Sequence, residues 1–170
     1  MVDNELFYTL AEVAITLAGF AGVAAGLNRR GEGGLASGER ITLLYLIIDC
    51  LIVLFMSFLP VLLSYSNWVE AEIWSLSVLS LGIIHFLVAL PGAVYVFQHL
   101  KELRKTWRPI VSPIQISTVF WAFAIAVVLT MASFNYFFMA TQTIYAFGLI
   151  TFLLFASIHF IFLVTDLKSV

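Results

Sequence analysis

Residues 41–66 read ITLLYLIIDCLIVLFMSFLPVLLSYS, and they decide the fold. Asp49 is the one charged residue in the run, which exceeds the ~20 consecutive apolar residues a helix needs to cross a bilayer. Four similar runs flank it, at 7–28, 73–98, 114–139 and 143–166. The whole chain agrees with this reading. Of its 170 residues 62% are hydrophobic and 11% charged, with a mean hydropathy of +1.07, whereas a soluble domain carries about 25% charged residues. The expected fold is all-α: a polytopic membrane helical bundle of five transmembrane helices, forming a single domain over 1–170 in contact with the lipid bilayer.

The opening MVDNELFY is acidic where a signal peptide would be basic, and Glu12 interrupts the apolar stretch that follows. Residues 7–28 therefore read as a retained first helix. The links differ in character. Residues 29–40 are Gly-rich and charged, 67–72 short and acidic, and 99–113 basic, with Pro109 and Pro113 marking a helix start near 114. Residues 141–143, TQT, read as a tight helical hairpin.

Orientation follows from the basic residues. Arg29, Arg30 and Arg40 flank the first link, Lys101, Arg104, Lys105 and Arg108 fill the third, and Lys168 lies in the tail; these are all eight Lys and Arg. In a five-span chain they share one side, while Asp3, Glu5, Glu70 and Glu72 take the other. A four- or six-span count breaks the segregation. The expectation is an N-terminus outside and a C-terminus in the cytoplasm, with Lys101, Arg104, Lys105 and Arg108 forming a basic cluster at the inner leaflet. Aromatic residues fit the same frame: Tyr8, Tyr65, Trp68, Trp74, Tyr136 and Tyr145 fall near the outer interface, and Tyr45, Tyr95 and Trp107 near the inner one. Trp121 lies deeper, as if facing a neighbouring helix.

The first helix carries Ala14, Ala18, Gly22 and Gly26 at four-residue spacing, a pattern that lets helix backbones approach closely and invites homo-oligomers. Pro60 and Pro91 interrupt the second and third helices and free carbonyls there. The run AEVAITLAGFAG at 11–22, followed by Arg29–Arg30 and by ERITLL at 39–44, resembles a group of uncharacterised small bacterial multi-pass membrane proteins over roughly the first 45 residues. The resemblance implies a bacterial inner (cytoplasmic) membrane and carries no activity.

Four titratable side chains fall inside the spans: Glu12, Asp49, His85 and His159. A carboxylate at a helix centre is disfavoured by ~2.5–3.5 kcal/mol on insertion scales, so each such group needs a partner or a function. With ~1.5 Å of rise per residue, Glu12 lies about 7 Å outside its helix centre, His85 near the midplane, and Asp49 and His159 about 6 and 7 Å inside. Asp49 and His159 thus share a level and can pair, whereas Glu12 has no basic partner at its depth. Ser57, Ser133 and Asn135 are polar groups at a similar outer level, and Thr16, one turn after Glu12, shares its face. Interhelical hydrogen bonds averaging about 0.6 kcal/mol explain any one of these residues. The set of four suggests a staggered path for protons or small cations.

Other chemistries find little support. His85 and His159 differ by about 7 Å in depth, which is awkward for two axial ligands of one haem. No H-E-x-x-H and no cysteine pair exist for zinc, and Cys50 is the single cysteine. Lys101–Pro109, KELRKTWRP, has the Lys-x6-Arg-Pro spacing of the lipid phosphate phosphatases, but that family's Pro-Ser-Gly-His element is missing. No Walker loop, dinucleotide glycine pattern or serine triad is present. A net charge of −2 argues against nucleic acid. The sequence therefore points to a membrane protein that is not an enzyme and has no cofactor or metal. It reads first as an oligomeric channel-like protein for protons or small cations. The alternatives are a non-conducting accessory or scaffold subunit beside a membrane-protein partner, and a haem or quinone redox subunit.

Overall fold

The structure, a computed structural model, describes residues 4–28, 37–106 and 111–166, with side chains over 4–26, 40–94, 97–98 and 116–164. The expectations for Arg29, Arg30, Tyr95, Lys101, Arg104, Lys105, Trp107, Arg108 and Lys168 lie outside the described side chains. Five helices follow one another: α1 (Asn4–Asn28), α2 (Ser37–Ser64), α3 (Glu70–Thr106), α4 (Val111–Ser133) and α5 (Gln142–Asp166). Each contains a segment long and apolar enough to cross a membrane, which fits a multi-pass membrane protein.

Two helix ends differ from expectation. α3 continues past 98 to Thr106. Hydropathy marks where an apolar span stops, and KELRKT after it is composed of good helix formers with no Gly or Pro. α4 stops at Ser133 instead of reaching 139. Asn135 adopts φ 56°, its N–H donates to the Ala132 carbonyl at 2.9 Å, and the Tyr136 N–H donates to the Met131 carbonyl at 2.9 Å. That pair of bonds around a left-handed residue is a Schellman cap, and asparagine tolerates the conformation. Asn135 Oδ1 also accepts from the Ala140 N–H at 3.2 Å, closing the irregular link 134–141. Phe137 in that link has φ 62°, and the Phe138 N–H reaches the Tyr136 carbonyl across it.

The starts of α3 and α5 are capped by their own side chains. Glu72 Oε2 accepts from the Val69 N–H at 3.2 Å, the carboxylate half of a capping box. Thr141 Oγ1 accepts from the Ile144 N–H at 3.4 Å, so the residue expected in a hairpin turn is the N-cap of α5. Pro60 and Pro91 lie inside α2 and α3, which continue through them.

The chain divides into two compact units, and the division falls within α5. The first comprises Met1–Trp68 and Leu149–Val170. In it α1 packs on α2, and α1 buries Phe7, Ala11, Ala14, Ala21 and Ala25. Alternating steps of three and four residues keep these positions on one face of a 3.6-residue helix. Repeated steps of four rotate by about 40° each. Along the series Ala14, Ala18, Gly22, Gly26, burial accordingly falls from buried to half-buried to exposed. A Cβ added at Gly22 or Gly26 would meet nothing within 4 Å.

The second unit is Val69–Gly148, built on α3 packed against α4. Its close approaches occur at two other glycines. A Cβ at Gly82 would lie 2.9 Å from Thr130 Oγ1 and 3.2 Å from the Thr130 backbone nitrogen, and one at Gly148 would lie 2.6 Å from Leu81 Cδ2. Trp74 and Tyr145, expected at an interface, are buried with ring centroids 6.3 Å apart. Trp121 is 59% exposed.

Candidate functional site

Asp49 stands midway along α2, on the face that also buries Leu46, Val53 and Met56. Its side chain is 2% exposed. A carboxylate in such surroundings needs a hydrogen-bonding partner, and within the first unit α5 supplies one. His159 Nδ1 lies 3.2 Å from Asp49 Oδ2. The structure thus brings together the two residues whose depths match in the sequence. Tyr45, one turn before Asp49 on α2, lies beside the imidazole, the two rings 5.9 Å apart and tilted by 31°. The sequence places Tyr45 only as an inner-interface aromatic, although its i−4 relation to Asp49 puts it on the same helix face.

One proton can occupy the Asp49–His159 contact in two ways. Either Nδ1–H donates to an ionised carboxylate, or a protonated carboxyl donates to Nδ1. Both arrangements keep the hydrogen bond, so with Nε2 protonated the proton can shift between nitrogen and oxygen without moving the heavy atoms. The His159 side chain is 16% exposed against 2% for Asp49.

The other candidates are placed elsewhere. His85 is buried in the second unit, and its Nδ1–H donates to the Leu81 carbonyl, one turn back on α3, at 3.1 Å. A carbonyl only accepts, so this bond assigns the ring proton to Nδ1. Glu12 is exposed on α1, on the side opposite Phe7, Ala14 and Ala21, and its carboxylate makes no hydrogen bond or ion pair among the described residues. Thr16, also exposed, donates to the Glu12 carbonyl at 2.8 Å.

The supporting polar residues separate by role. Ser133 donates to the Thr130 carbonyl at 2.7 Å, and Asn135 caps α4. Ser57 is fully buried with no hydrogen-bond partner for its Oγ, and so is Ser77, which the sequence reading passed over. Among the described residues no group of three or more His, Cys, Asp or Glu is arranged to hold a metal ion. Comparison of the chain with protein-family models, curated proteins and solved structures gives no match.

Proposed function

We propose that this chain is a channel-like membrane protein that passes protons or small cations, with the Asp49–His159 pair as its exchanging group. The observation that supports this is the pair itself: a buried carboxylate and an imidazole 3.2 Å apart, on two helices that are each apolar enough to cross a membrane. Intramembrane carboxylates and histidines are expensive to bury and recur in proton relays. With Nε2 protonated, a shift of the shared proton converts an ion pair into a neutral pair, and neither form leaves a net charge in the apolar interior. The one-sided distribution of Lys and Arg supports an N-terminus outside and a C-terminus in the cytoplasm. The resemblance of the first ~45 residues to small bacterial membrane proteins supports a bacterial inner membrane.

The test is proton flux into liposomes that hold purified protein and a pH-sensitive dye. Asp49→Asn keeps the shape of the side chain and an acceptor for Nδ1–H but removes the titrating group. The expected result is a flux at least about tenfold lower in Asp49→Asn and in His159→Gln, with helical content unchanged. Wild-type flux in both variants, or no flux above empty liposomes for the wild type, overturns the proposal.

A further inference from the structure

On α1, the face turned away from the buried stripe carries Thr9, Glu12, Thr16, Gly19, Val23 and Gly26, all exposed. The steps alternate three, four, three, four, three, which is the spacing of a seam along which one helix packs on another. Two features of this seam say what would cover it. A Cβ at Gly19 or Gly26 would meet nothing within 4 Å, so a second backbone has room to approach. The polar atoms are of one kind. Thr9 donates its hydroxyl hydrogen to the Glu5 carbonyl at 2.9 Å and Thr16 donates to the Glu12 carbonyl at 2.8 Å. Both threonines therefore present only lone pairs outward, and a carboxylate accepts and does not donate. The seam offers acceptors with no side-chain donor.

From this we infer that the outward face of α1 docks a transmembrane helix of a different protein, one that carries an Arg, Lys or other strong donor at the level of Glu12. A second copy packed through this same face with Glu12 ionised would set acceptors against acceptors and leave two carboxylates facing each other. A lipid tail would leave Glu12 in hydrocarbon with no partner. The inference rests on α1 crossing a membrane and is independent of ion conduction.

The experiment uses full-length protein, labelled at its C-terminus, in phosphatidylcholine vesicles. The probes are labelled leucine–alanine transmembrane peptides bearing a single Arg, Leu or Glu at the matching depth. Energy transfer should show the Arg peptide associating about tenfold more tightly than the Leu peptide, and the Glu peptide no better than the Leu peptide. Glu12→Leu should erase the preference. Gly19→Leu, which fills open space on the same face, should weaken Arg-peptide binding while Glu12 stays in place. Equal association of the three peptides overturns the inference. So does Glu12-dependent energy transfer between two labelled copies of the protein, which would identify the occupant as a second copy. Failure of the protein to float with the vesicles overturns the membrane reading and the docking site with it. Asp49→Asn should leave peptide binding unchanged, which separates this site from the proposed flux.

Discussion

His159 and Asp49 join α5 to α2 by a single hydrogen bond, Nδ1 to Oδ2 at 3.2 Å, with the carboxylate 2% exposed. Removing His159 takes away the hydrogen-bond partner of a buried carboxylate, and removing Asp49 takes away that of a half-buried imidazole. In a double-mutant cycle of Asp49→Ala and His159→Ala, the expected coupling is ~0.6–1.7 kcal/mol, the range of interhelical hydrogen bonds in a membrane bundle. Reversible unfolding in mixed detergent, followed by circular dichroism, measures it. Additive effects of the two substitutions would show that the contact does not hold the helices together.

Gly82 and Gly22 should respond in opposite ways to added bulk. At Gly82 a side chain runs into the backbone nitrogen and Oγ1 of Thr130. Gly82→Leu is expected to lose at least ~1–3 kcal/mol through overpacking. At Gly22 there is open space, so Gly22→Ala should gain up to ~1 kcal/mol from helix propensity alone. Unfolding midpoints of the two variants check the contrast.

The link after α4 holds two left-handed residues of different quality. Asn135, at φ 56°, sits in a cap that suits it, and Phe137, at φ 62°, has no such excuse and is 85% exposed. Asn135→Val should destabilise by ~1–2 kcal/mol, the penalty of placing a Cβ-branched residue in this region. Phe137→Gly should stabilise by about 1 kcal/mol by relieving the strain. A Phe137→Gly variant that unfolds earlier would mean that the exposed ring contributes more than its backbone loses.

Ser57 and Ser77 bury hydroxyls without partners. Ser57→Ala and Ser77→Ala should therefore leave stability unchanged or raise it by up to ~1 kcal/mol. The same Ser57→Ala protein in the flux assay asks whether the hydroxyl serves transport. A variant that is more stable and conducts less would assign Ser57 to the path.

The five spans are legible in the sequence because hydropathy is a local property, and the Asp49–His159 contact because helical rise converts residue numbers into depths. What the sequence hides depends on direction or on two helices at once. Counting in fours along α1 followed Gly22 and Gly26 off the buried face, while the stripe through Phe7, Ala14 and Ala21 was read only in part. Gly82 looks like an ordinary apolar-run glycine until Thr130 is placed beside it. Asn135 carried its own stop signal, but the apolar residues around it let the run be extended to 139. Charge alone could not tell that Glu12 faces away from the buried stripe of α1.

α3 remains helical from Glu70 to Thr106, past the apolar run that the sequence carries to Gln98. The residues from His99 to Thr106 extend the rod by about 12 Å at helical rise. Pro91, about two turns inside the apolar end, lacks the N–H that would bond to the carbonyl of Leu87, so the rod loses a rung there. Such a helix acts as a lever with a fulcrum at Pro91. A bend of about 10° there displaces Thr106 by roughly 4 Å over the ~22 Å between them. A bend at Pro91 would thus be magnified toward the segment of the sequence where the lysines and arginines are densest.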